Sequence, residues 1–465
     1  MTGYITRFAP SPTGNLHIGS ARTALINFIF KSQHPESKLY LRIEDTDKQR
    51  STEEFKNNII SGLKWLGIHW DDETQIQSQN INRHLIIAKN LLKDDNAYKC
   101  ICTEDDLADR RKKINSGEVN SKKICIKCQK NKEVQSLESG YVIRIKIPTD
   151  GIEILEDIIQ GRVEVKNNEI DDFVLVRKDN TPTYMLSVVV DDHDLGVNYI
   201  IRGDDHLNNY FRQKFIYKYM KWKIPKYAHI PLIHGEDGAK LSKRHGAVNL
   251  IDLKNKGYLP HSIINNLILL GWSPKNQDDE IIQLQNIISK FEIDNLSKSA
   301  SIFSYKKLDY FNNYYLRLES NLNLFEDYCR SNSILSKFFK LDKKKLIRVF
   351  NVYKKDISTF HQIISIAEIY FANNLSKIVD ENFQDDFDKN FNDFLKLINN
   401  INNWEYDNIN LQIKGFIKKN NIKYPVLGKP IRYLLTNSFN GPSITDILVI
   451  LGKDQSLERL KRYKT

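Results

Sequence analysis

Residues 4–30 have the sequence YITRFAPSPTGNLHIGSARTALINFIF, in which two different periodicities meet at a turn. Tyr4 to Phe8 alternates in the manner of a β-strand, and the prolines and Gly14 that follow cannot continue a regular element. Apolar residues then recur at helical spacing from Ala21 to Ile29, and a second strand pattern covers Lys38 to Glu44. This order of elements predicts an α/β fold that opens with the first unit of a doubly wound parallel sheet.

A second unit of the same kind begins much later in the chain. Tyr199 to Arg202 has the pattern of a strand, and a helical pattern extends from Leu207 to about Met220. We therefore expect the sheet to be interrupted by an insert at roughly residues 99–183, which begins at a pair of cysteines. Beyond about residue 250 the periodicity becomes mostly helical.

Size and composition limit the function classes that remain. A chain of 465 residues is too long for one hydrophobic core. No apolar run is long enough for a membrane span and no secretory signal is visible, so we expect a cytoplasmic protein. The formal charge of +11 would suit a polyanionic partner such as RNA, but the abundance of Lys, Asn and Ile is equally the bias of an A/T-rich genome.

Two short segments have the composition of phosphate-binding elements. In the first, residues 10–20, the turn between strand and helix offers free backbone N–H groups, Gly14 and Gly19 allow close approach, and His17 can donate a hydrogen bond to a phosphoryl oxygen. The second, residues 240–246, follows a predicted strand from Ile230 to Ile233 and has three cationic side chains within a few residues of a serine. Each segment alone has an ordinary explanation, as a structural glycine turn or as a solvated basic loop.

The two segments together resemble the signature pair of class I aminoacyl-tRNA synthetases. Ser20 replaces the second histidine of the first signature, and Leu241 and Arg244 replace Met and Ser of the second. Further stretches resemble the bacterial glutamyl-tRNA synthetase family specifically: RFAPSPTG at 7–14, LRIEDTD at 41–47, VVDD at 189–192, IRGDDH at 201–206 and the closing residues 441–460. The resemblance spans almost the whole chain.

Three charged residues support this resemblance on chemical grounds. Arg7, Glu44 and Arg202 each lie at or near the C-terminal end of a predicted parallel strand, where open α/β sheets bind their ligands. Glutamate requires cations for its carboxylates and an anion for its ammonium group, and arginine offers a forked donor. The resemblance implies further contacts to glutamate from Ala9, Ser11 and Tyr184, and we expect Arg202 to take the side-chain carboxylate. It also implies that His17, Gly19 and Lys243 serve ATP, with Lys240, His17 and Lys243 as the catalytic groups.

Four of the five cysteines form a cluster in the sequence. Cys100 and Cys102 precede Cys125 and Cys128, and two close pairs of thiolates can form a tetrahedral zinc site. The first pair is tighter than in most zinc ribbons, so four free thiols remain the alternative to a structural Zn²⁺. The remaining one, Cys329, is expected to be a buried small residue.

The resemblance implies a fold, a reaction and a set of partners. The fold is that of a class I synthetase, with a Rossmann-like catalytic domain at 1–98 and 184–235, an inserted acceptor-end domain at 99–183, a stem-contact domain at 236–315 and a helical anticodon-binding domain at 316–465. The reaction joins glutamate to tRNA(Glu) through a glutamyl-adenylate, with ATP as substrate and Mg²⁺ as its partner ion, in a protein that we expect to be monomeric. Charging of tRNA(Gln) stays open. Three rivals are disfavoured: a tRNA-modifying glutamyl-queuosine-type paralogue, because the chain continues for roughly 200 residues beyond Lys243; a glutaminyl enzyme, because Arg202 suits a carboxylate better than an amide; and a catalytically silent RNA-binding protein, because His17, Lys240, Lys243 and the glutamate-site residues are all present.

Overall fold

The structure is a computed structural model that describes residues 3–118, 125, 127–239, 241, 248–274, 280–373, 375, 383 and 385–464. These residues divide into two compact units. The first comprises residues 1–253 and 260–308, and the second comprises residues 254–259 and 309–465.

The first unit begins with alternating strands and helices, as the sequence predicts. They are β1 (Ile5–Phe8), α1 (Ile18–Gln33), β2 (Lys38–Ile43), α2 (Glu53–Trp65), β3 (Gln75–Ile76) and α3 (Ile81–Lys93). β1 pairs in parallel with β2, and β2 pairs in parallel with β3. The predicted strand–turn–helix–strand unit is therefore confirmed.

The segment between α3 and the next parallel strands contains strands that pair in antiparallel fashion. They are β4 (Ala97–Cys100), α4 (Glu104–Asn115), α5 (Lys132–Ser136), β5 (Val142–Ile145), β6 (Ile152–Asp157), β7 (Gly161–Lys166) and β8 (Val174–Val176). β5 lies between β4 and β8, while β6 and β7 form a separate hairpin.

The parallel strands resume after this segment. The elements are α6 (Tyr184–Asp194), β9 (Tyr199–Gly203), α7 (Leu207–Tyr219), β10 (Lys226–Ile230) and β11 (Ile233–His234). β9 pairs in parallel with β10 and lies beside β1, where the Asn198 N–H donates to the Ile5 carbonyl at 3.1 Å. We expected one strand from Ile230 to Ile233, and that prediction is wrong because Pro231 has no N–H to donate and the strand stops before it.

A buried polar side chain ties the first helix to the parallel strands. Asn27 of α1 is fully buried; it accepts from the Thr6 hydroxyl of β1 at 2.8 Å and donates to the Ile201 carbonyl of β9 at 3.2 Å. Because an unpaired amide would be costly inside the core, these bonds fix α1 across the two strands.

The rest of the chain is mainly helical, in agreement with the periodicity beyond residue 250. Its elements are α8 (Leu250–Asn255), α9 (Pro260–Leu269), α10 (Leu284–Lys290), β12 (Ser301–Ile302), α11 (Tyr305–Leu316), α12 (Leu322–Ser331), α13 (Leu335–Leu341), α14 (Lys343–Tyr353), α15 (Ile363–Phe371), α16 (Asp385–Asn400), α17 (Tyr406–Lys419), α18 (Tyr424–Thr436), α19 (Ile444–Leu451) and α20 (Lys453–Lys461). Helices α16 to α20 share one apolar core in the second unit. Across the described ranges, no helix has both the length and the apolar character to span a membrane.

Candidate active site

A cavity of about 630 Å³ opens at the C-terminal ends of the parallel strands in the first unit. This is the edge at which the sequence places its charged residues, and it is where open α/β sheets bind ligands. Eight of the predicted site residues line the cavity: Arg7, Ala9, Ser11, His17, Gly19, Glu44, Tyr184 and Arg202. The other two, Lys240 and Lys243, lie outside the described residues.

At the cavity wall, two arginine side chains of β1 and β2 share one buried carboxylate. Asp192 of α6, only 2% exposed, accepts from Arg7 Nε at 3.1 Å and from Arg42 NH1 at 2.6 Å. Arg42 also contacts Glu44, with 3.2 Å between NH2 and Oε1. Arg7 uses only its Nε in these bonds, so among the described residues its two terminal nitrogens have no acceptor and are available to a ligand in the cavity.

Glu44 is held at the cavity by the turn after β1. Its N–H donates to the Pro10 carbonyl at 3.0 Å, which brings the carboxylate close to Arg7. Burial raises the pKa of Glu44, although Arg42 and Arg7 oppose the shift. A cationic group entering the cavity would remove this penalty, because it would favour the ionised carboxylate.

A second carboxylate supports this wall from behind. Asp191 accepts from Gln77 at 2.9 Å, from Asn80 at 3.2 Å and from His84 Nε2 at 2.7 Å, and it lies 3.8 Å from Arg42. Burial would raise the pKa of Asp191, but His84 and Arg42 lower it below its usual value. The Asp191 carboxylate is therefore held in its ionised form by several partners, and its charge helps to fix the position of Arg42.

Arg202 has a different environment, without a carboxylate partner. Its Nε donates to His229 Nε2 at 3.0 Å, NH1 to Gln213 Oε1 at 2.8 Å and NH2 to the His206 carbonyl at 3.0 Å, while its guanidinium lies over the Tyr227 ring at 5.1 Å. Among the described residues no carboxylate is within ion-pair distance of Arg202, although its side chain is almost completely buried. An anion in the cavity would supply the missing charge.

Tyr184 and His206 complete the wall on this side. The Tyr184 hydroxyl lies 3.2 Å from His206 Nδ1, and the Asn209 amide lies 3.1 Å from the same nitrogen. Burial and the charge of Arg202 lower the pKa of His206 to about 4, so the imidazole is neutral and its Nδ1 can offer its single lone pair to one of these two donors. These residues provide uncharged hydrogen-bonding groups next to Arg202.

The predicted phosphate-binding turn forms the remaining side of the cavity. His17 is the N-cap of α1; its Nδ1 accepts from the Ser20 N–H at 3.3 Å, and its Nε2 lies 3.0 Å from the Ser20 hydroxyl. Ser20 stands where the class I signature has a second histidine, so in this chain the substituted residue contacts the first one. A Cβ at Gly19 would come within 3.1 Å of the His17 ring, so a larger residue there would press on that ring.

The described residues within and next to the lysine-rich segment, Leu241 on one side and Val248 on the other, form backbone hydrogen bonds beside this site. On one side the Leu241 N–H donates to the Ile233 carbonyl at 3.2 Å, and Leu241 itself lines the cavity. On the other side the Ile18 N–H donates to the Val248 carbonyl at 3.1 Å and the Leu250 N–H donates to the Leu16 carbonyl at 2.9 Å. Both residues are therefore bonded next to the cavity and the turn that contains His17.

The four clustered cysteines meet in space, away from this cavity. The sulfur atoms of four residues all lie within 4.8 Å of one another: Cys100, Cys102, Cys125 and Cys128. The Sγ of Cys102 is 3.3 Å from that of Cys125 and 3.7 Å from that of Cys128. A tetrahedral zinc ion with Zn–S bonds of about 2.3 Å separates its sulfurs by about 3.8 Å, so the arrangement fits a Cys₄ site. Cys329 is buried in the second unit, as expected.

Several residues of the site were not assigned roles from the sequence. Asp191, Asp192 and Arg42 fall within quoted family stretches, but their pairing across α6 and β2 was not foreseen. The sequence does contain a signal for them: two adjacent carboxylates directly after the apolar run at 188–190, and an arginine inside an apolar strand, each require a partner. His229 and Gln213, which hold Arg202, gave no such signal.

Fold and site together define a class I aminoacyl-tRNA synthetase, and comparison with known proteins supports this class. Residues 4–310 match the family model described as class I tRNA synthetases (E and Q), catalytic domain, and residues 322–464 match an anticodon binding domain. The predicted class I fold with a helical C-terminal region is therefore confirmed.

Individual relatives narrow the class further. The chain is 40% identical to glutamate–tRNA ligase 2 of Wolbachia pipientis subsp. Culex pipiens and 41% identical to glutamate–tRNA ligase 2 of Rickettsia felis, in each case over 99% of this chain and 100% of the relative. A crystal structure of a glutamate tRNA ligase from Elizabethkingia meningosepticum in complex with its amino acid superposes with a TM-score of 0.86, at 27% identity, over 99% of both chains. The chain belongs to the glutamate–tRNA ligase family.

Proposed function

We propose that the chain activates L-glutamate with ATP to glutamyl-adenylate and pyrophosphate, and then transfers glutamate to the terminal adenosine of tRNA(Glu). The observation that carries this proposal is the pair of complementary charges in one cavity: Arg202 without a carboxylate partner and Glu44 with a pKa raised by burial. A dicarboxylic amino acid supplies the anion that Arg202 lacks and the ammonium group that Glu44 requires.

In this proposal, different residues of the pocket bind different groups of glutamate. Arg202 binds the side-chain carboxylate, and a glutaminyl substrate is disfavoured because an amide would leave the guanidinium charge uncompensated. Glu44 binds the ammonium group, and the terminal nitrogens of Arg7 approach the α-carboxylate. Ala9, Ser11 and Tyr184 contact glutamate from the surrounding wall.

The nucleotide occupies the side of the cavity formed by the turn before α1. Gly19 allows the phosphates to approach the backbone, and the N-terminus of α1 favours their charge. His17, Lys240 and Lys243 stabilise the charge that moves onto the departing pyrophosphate, and the bonds at Leu241 and Val248 support a position of the lysines near the phosphates. Mg²⁺ accompanies ATP and neutralises its phosphates. No protein nucleophile is required, because the α-carboxylate of glutamate attacks the α-phosphorus directly.

The tRNA is recognised by other parts of the chain in this proposal. The catalytic domain comprises residues 1–98 and 184–235, the insert at 99–183 contacts the acceptor end, residues 236–315 contact the stem, and residues 316–465 bind the anticodon. The match of residues 322–464 to an anticodon binding domain supports this assignment against a paralogue that resembles the family only in its catalytic half. Charging assays with purified tRNA(Glu) and tRNA(Gln) decide whether the second tRNA is also a substrate.

The cysteine cluster holds a structural Zn²⁺ in this proposal. The Cys100, Cys102, Cys125 and Cys128 thiolates would bind the ion, and their spacing supports a tetrahedral site in preference to four free thiols. The ion would cross-link the two segments that contain the cysteine pairs. We also propose that the protein works in the cytoplasm as a monomer, which sedimentation in solution would test.

The activity is tested by ATP–pyrophosphate exchange with glutamate, with tRNA(Glu) in the assay. Lys243→Ala should slow the exchange greatly and leave the fold intact, while Lys89→Ala, at an exposed lysine of helix α3 in the same unit, should leave both unchanged. Near-normal exchange in Lys243→Ala would contradict the assignment. Absence of exchange in the unmodified protein would instead favour a silent RNA-binding protein.

A further inference from the structure

The Arg202 guanidinium is oriented by a histidine in the neighbouring strand. His229 of β10 is the register partner of Arg202 in β9, so the two side chains lie next to each other on one face of the sheet. The Nε–H of Arg202 donates to His229 Nε2 at 3.0 Å. Since a guanidinium has donors but no acceptor, His229 Nε2 must carry its lone pair toward Arg202 and cannot carry the proton.

The proton of His229 is held on its other nitrogen by a carboxylate. Asp157, the last residue of β6, accepts from His229 Nδ1 through Oδ2 at 2.6 Å. Its other oxygen, Oδ1, accepts from the backbone N–H groups of Ile159 and Gln160 at 3.0 and 2.9 Å. The turn after β6 therefore fixes the carboxylate, and the carboxylate fixes the tautomer of the histidine.

Burial makes this arrangement an obligatory one. The side chains of Asp157 and His229 are both 0% exposed, so neither can exchange its partner for water. Burial lowers the pKa of His229, with a contribution from Arg202, and Asp157 opposes the shift. A neutral imidazole with its proton on Nδ1 satisfies both neighbours at once.

We infer that Asp157 and His229 are positioning residues that set the amino-acid specificity of the site, by holding Arg202 through a neutral acceptor so that its charge stays available to the substrate carboxylate. Arg7 gives the contrast within the same cavity, because its Nε is paired with the carboxylate of Asp192. A carboxylate in the place of His229 would hold Arg202 equally firmly, but it would neutralise the charge that the substrate must meet. The inference rests on the proposed function, since it assigns the orientation of the residue that binds the glutamate side chain.

Two substitutions at one position separate the two bonds of the imidazole. The amide of His229→Gln reaches the place of Nε2 and can accept from Arg202, whereas the amide of His229→Asn reaches only the place of Nδ1 and can donate only to Asp157. We expect His229→Asn to raise the KM for glutamate in tRNA(Glu) charging by about tenfold or more, with kcat and the KM for ATP changed by less than about threefold. His229→Gln should stay within about threefold of the unmodified protein in all three constants.

Asp157→Asn tests the tautomer directly. The asparagine can keep its oxygen toward the backbone donors of the turn, which places its NH₂ against His229 Nδ1 and moves the imidazole proton to Nε2, facing the Arg202 donor. The KM for glutamate should rise as in His229→Asn. In a His229→Gln background the same substitution should have little further effect, because an amide has no tautomer to invert.

Distinct results would overturn the inference and the proposed function. Equal effects of His229→Asn and His229→Gln on the glutamate KM, or losses confined to kcat and thermal stability, would show a merely structural role. Nitrogen NMR of ¹⁵N-histidine-labelled protein gives a check that needs no variant, and a proton on Nε2 of His229 would refute the inference. Failure of the unmodified protein to charge tRNA(Glu) would refute the proposed function itself.

Discussion

Replacement of Asp192 by alanine should destabilise the first unit far more than removal of an exposed carboxylate from the same helix, α6. The Asp192 carboxylate is 2% exposed and is shared by Arg7, at 3.1 Å, and Arg42, at 2.6 Å. Removal of one partner from a buried ion pair typically costs about 3–5 kcal/mol, because the remaining charge stays desolvated. Arg42 would retain Glu44 and Asp191 within 4 Å, so we expect about 3 kcal/mol, near the lower end of that range.

Asp194 provides the matched control on the same helix. Its carboxylate also pairs with an arginine, Arg83, at 2.8 Å, but the two side chains are 36% and 43% exposed. Exposed pairs of this kind contribute about 0.2–1 kcal/mol, so Asp194→Ala should have a small effect. Urea unfolding of both variants, followed by far-UV circular dichroism, measures the difference in the free energy of unfolding. Equal losses in the two variants would refute the idea that Asp192 is the buried support of the site.

Three further predictions concern the substrate pocket and the cysteine cluster. Arg202→Lys keeps the charge but loses the forked donors, so the KM for glutamate in tRNA charging should rise about 10- to 100-fold with little change in the KM for ATP; an unchanged glutamate KM would exclude Arg202 as the carboxylate ligand. In the proposed binding mode the ammonium group of the substrate pairs with ionised Glu44, whose pKa is raised by burial. The affinity for glutamate, measured by calorimetry, should therefore be full above that raised pKa and should begin to fall, as the pH is lowered, already above about pH 4.3, the ordinary value for a glutamate side chain; Glu44→Gln should bind weakly and lose this dependence on pH. Cys125→Ser should lower the zinc content, measured by plasma mass spectrometry, from about one ion per chain to nearly none. Cys329→Ser is the control and should retain the metal. Equal zinc content in the two variants would argue against the Cys₄ site.

The fold was predictable from the sequence where local patterns are strong. The strand at Tyr4 to Phe8, the helix after His17 and the strand that ends before Glu44 all have the expected type, because alternating and helical apolar patterns coincide with turn residues. The prediction of one strand from Ile230 to Ile233 is wrong. An apolar run does not indicate where the hydrogen-bonded pairing of a strand ends, and here Pro231 ends the pairing after Ile230.

For the site, the sequence predicted only which charged residues lie at the ends of the parallel strands. Arg7, Glu44 and Arg202 do line one cavity, which follows from the parallel order of their strands. Their partners could not be foreseen, because Asp192 and His229 are far away in the sequence and meet Arg7 and Arg202 only through tertiary packing. The roles of Lys240 and Lys243 stay predictions.

The β6–β7 hairpin limits how far the insert can be treated as a module. By chain order the hairpin belongs to the segment between residues 99 and 183, yet Asp157 at its turn bonds to His229 in the parallel sheet. A chimera that exchanged residues 99–183 for the corresponding segment of a relative would therefore also exchange the carboxylate that holds His229 beside Arg202. A graft of the insert should leave residues 152–166 with the recipient sheet, so that the proposed contact with the acceptor end is exchanged while the bonds that hold Arg202 are kept.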